Sequence, residues 1–322
     1  MPTAFLDFGS VTRDDIDRTV LEQVVSPWVY HDTTSREQVA ERIREAEIVV
    51  SNKTLLDRSA LDAANKLKLI CVAATGYNNV DLIAAAERNI PVCNVRNYAT
   101  GSVAQHVFMF MLNFACRFVE YQQLIKRGGW QASSYFCPLD FGITELAGKT
   151  LGIVGYGELG NAVANIAKAF GMKLLITEHK SASTIRPGRT AFDEVIRQAD
   201  FITLHCPLSE DTRHLISSRE LNLMKPSAYL INTARSGLID ETDLLKSLYS
   251  KHIAGAAIDV LKEEPPVSGN PLLDYPHPNL IITPHSAWAS VESRQRMLNL
   301  LADNIRNFLH NKPFNQIKDA LA

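Results

Sequence analysis

Along the first 95 residues, short apolar runs rich in β-formers alternate with stretches of helical periodicity. Ala4–Phe8, Ile48–Val50, Leu69–Ala73 and Pro91–Val95 read as strands, and Ser35–Ala46 and Asp81–Arg88 as helices. Such alternation predicts a parallel sheet with helices over its faces. Ser102–Phe118 then reads as one long apolar helix, and Arg127-Gly128-Gly129 opens a loop, Trp130–Gly142, rich in aromatic and turn residues. From Lys149 a second alternating series begins, with strands expected at Thr150–Val154, Leu174–Thr177, Phe201–Leu204, Ala228–Asn232, Ile253–Ala257 and Leu280–Thr283. After His285 a helical pattern resumes from about Val291 to Leu309, long enough to cross back to the first lobe. The expected organisation is a discontinuous first domain, residues 1–100 and 291–322, with residues 101–290 inserted as a second domain.

The length of 322 residues suits two domains. With 33 basic and 35 acidic residues the formal charge is −2, which argues against a chain built to coat nucleic acid or an anionic membrane. The five cysteines are widely spaced, with no CxxC and no zinc-ligand spacing, so no metal is expected and a reducing compartment is. The most apolar stretch, Val107–Cys116, falls short of the ~20 residues a membrane helix needs. A cytoplasmic protein is expected.

The segment Leu151-Gly152-Ile153-Val154-Gly155-Tyr156-Gly157-Glu158-Leu159-Gly160 places G-x-G-x-x-G between an apolar strand and a helix start. In that context Gly155 permits a tight turn, Gly157 lets the backbone approach a pyrophosphate, and Gly160 lets helix and strand pack closely. The six expected strands from Thr150 onward suit a complete dinucleotide-binding sheet. Glu178 lies about 20 residues on, where a carboxylate accepts the ribose hydroxyls of NAD and repels the 2′-phosphate of NADP. NAD is therefore expected rather than NADP.

Three later segments each end an expected strand, where ligands of open α/β sheets collect. They are Asn232-Thr233-Ala234-Arg235-Ser236-Gly237, Asp259-Val260-Leu261-Lys262-Glu263-Glu264-Pro265 and Thr283-Pro284-His285-Ser286-Ala287-Trp288. At these residues the chain resembles the D-2-hydroxyacid dehydrogenase family. The resemblance extends to Gly76-Tyr77-Asn78-Asn79-Val80-Asp81, Ser102-Val103-Ala104-Gln105-His106, His205-Cys206-Pro207-Leu208 with Thr212, and Met224-Lys225-Pro226. Within the family, Asn52-Lys53-Thr54, Phe136-Cys137 and His285-Ser286-Ala287-Trp288 look most like the glycerate dehydrogenase or hydroxypyruvate reductase group. Gln105, Glu158 and Ser236 depart from the usual residues, and none of these departures removes a catalytic group.

The resemblance implies two doubly wound parallel-sheet α/β domains, a Rossmann NAD-binding domain inserted in a flavodoxin-like substrate domain. It implies reduction of a small 2-oxo acid, with hydroxypyruvate or glyoxylate the expected substrate. Arg235 then holds the substrate carboxylate and polarises the carbonyl, His285 delivers the proton, and Glu264 orients the imidazole. Substrate contacts are expected from Ala74, Thr75, Gly76 and Trp288. Cofactor contacts are expected from Thr75, Gly155, Gly157, Glu158, Leu159, Gly160, Glu178, Cys206, Pro207, Thr212, Thr233, Ala234 and Asp259, the last beside the nicotinamide carboxamide. A homodimer is expected through a segment of about residues 102–145. The competing class is a corepressor-like protein that senses NAD(H), since relatives of that kind keep the arginine, glutamate and histidine.

Overall fold

A computed structural model of the chain describes residues 1–312 and 314–317. It divides into two compact units, Met1–Ala99 with the described residues from Trp288 onward, and Thr100–Ala287.

The first unit is built on a five-stranded sheet of β1 (Thr3–Phe5), β2 (Trp28–Tyr30), β3 (Ile48–Ser51), β4 (Leu69–Val72) and β5 (Val92–Cys93). Every pairing is parallel and the order is β2-β1-β3-β4-β5, the flavodoxin arrangement. Side chains alternate between two cores, as the twofold period of a strand requires. Ala4, Val49, Ile70 and Val72 face one, and Phe5, Ile48, Val50, Leu69 and Cys71 face the other. The helix Val291–Leu309 covers the second face with Met297, Leu298, Leu301, Ala302 and Ile305, a helical stripe begun by the Ser290 side chain capping the Ser293 amide. β2 escaped the sequence pattern, being a three-residue edge strand that is only partly buried.

The second unit holds β6 (Thr150–Val154), β7 (Lys173–Ile176), β8 (Phe201–Leu204), β9 (Tyr229–Asn232), β10 (Gly255–Ile258) and β11 (Leu280–Ile282), all parallel, in the order β11-β10-β9-β8-β6-β7. β8 and β10 are buried at every position, and helices cover both faces. The third strand of a standard dinucleotide fold is reduced to one bridge, Thr177 to Thr190. The long helix runs Thr100–Cys116 and breaks at Arg117, whose φ of 54° is left-handed, before a second helix, Phe118–Lys126, that the sequence pattern did not show. Among the described residues no single helix is long and apolar enough to cross a membrane.

Candidate active site

Between β6 and β8 the chain reverses its direction of winding, and a crevice opens beyond the strand ends. Gly155 turns there with a φ of 88°, and a Cβ on it would lie 2.6 Å from the Cys206 amide nitrogen. A Cβ on Gly160 would fall 2.2 Å from the Gly155 carbonyl oxygen, so the turn can close on the helix Glu158–Ala169 only without a side chain at Gly160. Gly157 precedes that helix and faces open space, with no atom within 4 Å of a Cβ position. A cavity of about 830 Å³ lies alongside, lined by Gly155, Gly157, Glu178, Cys206, Pro207 and Thr212 among others.

Two buried polar atoms close to these strand ends lack a protein partner, Thr233 Oγ1 and His205 Nδ1. Buried groups of this kind call for a partner, which a ligand or water can supply. Together with the helix N-terminus and the uncovered Gly157, they fit a bound dinucleotide with its pyrophosphate at the glycine turn. Burial pushes the His205 imidazole down to about 4 and the Cys206 thiol up to about 11, so both are uncharged at neutral pH. Thr212 stiffens the adjacent loop by donating to the Pro207 carbonyl at 2.8 Å. Leu159 lies in the first turn of the helix, while the Glu158 carboxylate accepts from the Thr100 hydroxyl at 2.5 Å.

Glu178 follows β7 and is only 3% exposed. Its carboxylate accepts from the His179 amide at 2.9 Å and from Arg186 Nε and Nη2 at 2.6 and 2.5 Å. The guanidinium holds the carboxyl at about 2. The expected ribose acceptor is thus already paired with a cation that sequence reading did not single out.

Around the corner of the same sheet, β9, β10 and β11 end side by side. Asn232 closes β9 with its Oδ1 on the Ala234 amide at 3.0 Å and its Nδ2 on the Arg235 carbonyl at 2.8 Å, a side-chain turn that leads Ala234 out of the sheet and presents an exposed Arg235. Beyond β10, Glu264 takes the Leu261 amide on Oε1 at 2.9 Å and meets His285 Nδ1 with Oε2 at 2.6 Å. With Nδ1 engaged, Nε2 is the nitrogen left to exchange a proton. His285 itself sits at a φ of 52°, an unfavourable backbone for a side chain of this size.

Asp259 explains how that backbone is held. The resemblance places it beside the nicotinamide; its side chain has no exposed surface, and each oxygen accepts at least one hydrogen bond from the chain. Oδ1 accepts from the Thr283 hydroxyl at 2.5 Å and the Ser286 amide at 2.9 Å, and Oδ2 from the Ala287 amide at 3.0 Å. The carboxylate therefore ties down the loop that carries His285. Since Thr283 donates to Asp259, His106 Nε2, 3.0 Å away, must donate to the Thr283 oxygen. Burial lowers the His106 pKa, with Asp259 opposing. Nothing in the spacing of His106 along the chain pointed to this bond.

In the first unit, Ala74, Thr75 and Gly76 follow β4. The Thr75 hydroxyl donates to the Val95 carbonyl at 3.0 Å and the Asn94 side chain to the Thr75 carbonyl at 2.7 Å, which fixes this turn. Buried Asp7, beyond β1, accepts the amides of Asn52, Lys53 and Thr54 beyond β3. Trp288 packs edge-on against Tyr98, ring centres 6.2 Å apart.

Fold and crevice together define a nicotinamide-dependent oxidoreductase, and residues 108–287 match the D-isomer specific 2-hydroxyacid dehydrogenase, NAD binding domain. A glycerate dehydrogenase of Methylorubrum extorquens is 44% identical over 291 residues, covering 90% of this chain and 91% of that protein. A hydroxypyruvate reductase of Blautia hydrogenotrophica is 35% identical over 98% of this chain and 99% of its own length. A solved acyclic imino acid reductase in complex with NADPH and D-arginine superposes with a TM-score of 0.84 at 28% identity, covering 98% of this chain and all of that one. The chain belongs to the D-isomer specific 2-hydroxyacid dehydrogenase family, oxidoreductases acting on CH–OH groups.

Proposed function

We propose that the chain reduces a small 2-oxo acid, hydroxypyruvate or glyoxylate, to the 2-hydroxy acid, of D configuration where C2 is a stereocentre, with NADH as hydride donor. The observation that carries this reading is the 2.6 Å contact of His285 with Glu264 at the strand ends beside the dinucleotide crevice. The names of the glycerate dehydrogenase and hydroxypyruvate reductase relatives support the substrate class. β9 and β11 flank β10, so Arg235 and His285 start from strands separated by roughly 10 Å, a span that a two- or three-carbon acid can bridge.

Arg235 holds the substrate carboxylate with its planar fork and polarises the neighbouring carbonyl. His285 Nε2 gives its proton to the carbonyl oxygen, and Glu264 on Nδ1 stabilises the imidazolium that precedes transfer. Bound NADH supplies the hydride to C2. Gly155, Gly157, Leu159 and Gly160 receive the pyrophosphate, with Cys206, Pro207, Thr212, Thr233 and Ala234 along the dinucleotide. A panel of 2-oxo acids with NADH tests the reading: rapid turnover of hydroxypyruvate or glyoxylate supports it, and slow turnover of every acid despite NADH binding overturns it in favour of a sensor.

We also infer a homodimer. Trp130, Tyr135, Phe136, Leu139 and Ile143 are all more than half exposed, Phe136 at 94%, although Trp130 Nε1 pins the segment by donating to the Phe136 carbonyl at 2.9 Å. A second copy covering this apolar stretch accounts for it. Sedimentation at twice the 35.8 kDa chain mass supports the dimer, and sedimentation at the chain mass excludes it. The widely spaced cysteines suit a cytoplasmic setting.

A further inference from the structure

A carboxylate after the second strand of a dinucleotide-binding sheet rejects NADPH when it stands alone, by repelling the 2′-phosphate. Glu178 does not stand alone. Arg186, on the turn that follows, reaches back to it with Nε and Nη2, and its own amide also points at Oε2, 3.3 Å away. The pair is closely matched in charge, so the negative field that would oppose a phosphate is largely cancelled.

Nor does the pairing use up the arginine. A guanidinium carries five N–H bonds. Two serve Glu178, and the other three have no protein partner among the described residues. The Arg186 side chain is 59% exposed while bonded, and it lines the 830 Å³ cavity. Arg189 lines it as well, its guanidinium over the Tyr156 ring at 5.1 Å and donating to the Thr177 carbonyl. Lys180 is committed to Glu220 at 2.9 Å. Against these cations the lining sets only Glu178, already neutralised, and Asp211.

We propose that the adenosine end of this cavity takes the 2′-phosphate of NADPH as well as the bare ribose of NADH, with Arg186 bridging Glu178 and the phosphate. The proposal rests on the dinucleotide reading of the cavity and extends it, because it makes Arg186, paired with Glu178, the residue that admits the 2′-phosphate. A phosphate monoester brings nearly two negative charges and three acceptor oxygens, which the free edge of a guanidinium matches in geometry and sign.

Equilibrium binding tests this without turnover, by titrating the purified protein with NADH and with NADPH and following the nicotinamide fluorescence. The expected result is an NADPH dissociation constant within about tenfold of that for NADH. Arg186→Ala should then weaken NADPH at least tenfold while moving NADH less than threefold. Glu178→Gln, which removes the competing charge and leaves the arginine, should shift the ratio towards NADPH, and this second variant guards against a local collapse in the first. Added salt should weaken NADPH more than NADH. NADPH binding more than tenfold weaker than NADH in the parent protein overturns the proposal, as does an equal loss of both nucleotides in Arg186→Ala. Failure of both nucleotides to bind overturns the dinucleotide reading itself.

Discussion

Replacing Asp259 by Asn tests whether this buried carboxylate works by holding the His285 loop. Asn retains one carbonyl oxygen, able to keep the Thr283 hydroxyl and the Ser286 amide, but it turns an NH₂ group towards the buried Ala287 amide now bonded at 3.0 Å. Losing one hydrogen bond to a charged acceptor and leaving its donor unsatisfied costs about 2–4 kcal/mol. His285 is also held at a left-handed φ of 52°, so the loop has strain to release once its tether weakens. If most of that energy falls on keeping His285 in place, kcat drops by about 10²-fold, since ~1.4 kcal/mol is a factor of ten. The assay is steady-state reduction of hydroxypyruvate, with kcat, the KM for NADH and the thermal midpoint measured for each protein. A positioning role predicts a large fall in kcat and a KM for NADH within about threefold of the parent, whereas direct contact with the cofactor predicts that KM rises first. A kcat within about threefold of the parent refutes the account of the loop.

Arg235→Lys keeps the charge and loses the bidentate fork, so kcat/KM for hydroxypyruvate should fall by about two orders of magnitude, equivalent to ~3 kcal/mol of transition-state binding; parental turnover removes Arg235 from the site. Glu264→Gln deprives the imidazole of its carboxylate partner at 2.6 Å, so kcat for 2-oxo acid reduction should fall by at least about tenfold with the KM for NADH unchanged, and parental turnover breaks the assigned pair. With its thiol pushed up to about 11, Cys206 stays protonated through neutral pH; iodoacetamide should leave it unlabelled at pH 7.5, label it increasingly as the pH approaches that value, and label it less when NADH fills the cavity it lines. Labelling of Cys206 at neutral pH, read by peptide mass spectrometry, contradicts its desolvation.

Much of the architecture is legible because it rests on periodicity. The helix Val291–Leu309 shows its stripe of Met297, Leu298, Leu301 and Ile305 in the sequence itself, and the strands of the second sheet are short apolar runs closed by turn residues. Elements without such a signal stayed hidden. Trp28–Tyr30 is a half-buried edge strand, Thr190 pairs through a single bridge, and the left-handed break at Arg117 lies inside an unbroken helical pattern. At the site, the strand ends that deliver Gly155, Glu178, Asn232, Asp259 and Thr283 follow from the same runs. Where each side chain turns does not. Arg186 folds back eight residues to Glu178, Asp259 points into the loop after β11, and His106 reaches Thr283 from a distant helix. Each of these depends on tertiary placement that spacing along the chain does not encode.

The most direct test of the central claim is the configuration of the product formed from hydroxypyruvate and NADH by the parent protein and by His285→Ala, resolved by chiral chromatography. Membership of the D-isomer specific family predicts D-glycerate alone from the parent. With the proton donor of the Glu264–His285 pair removed, the rate should fall by at least about 10²-fold without change in NADH binding. Formation of L-glycerate, or a His285→Ala protein that turns over as fast as the parent, would contradict it.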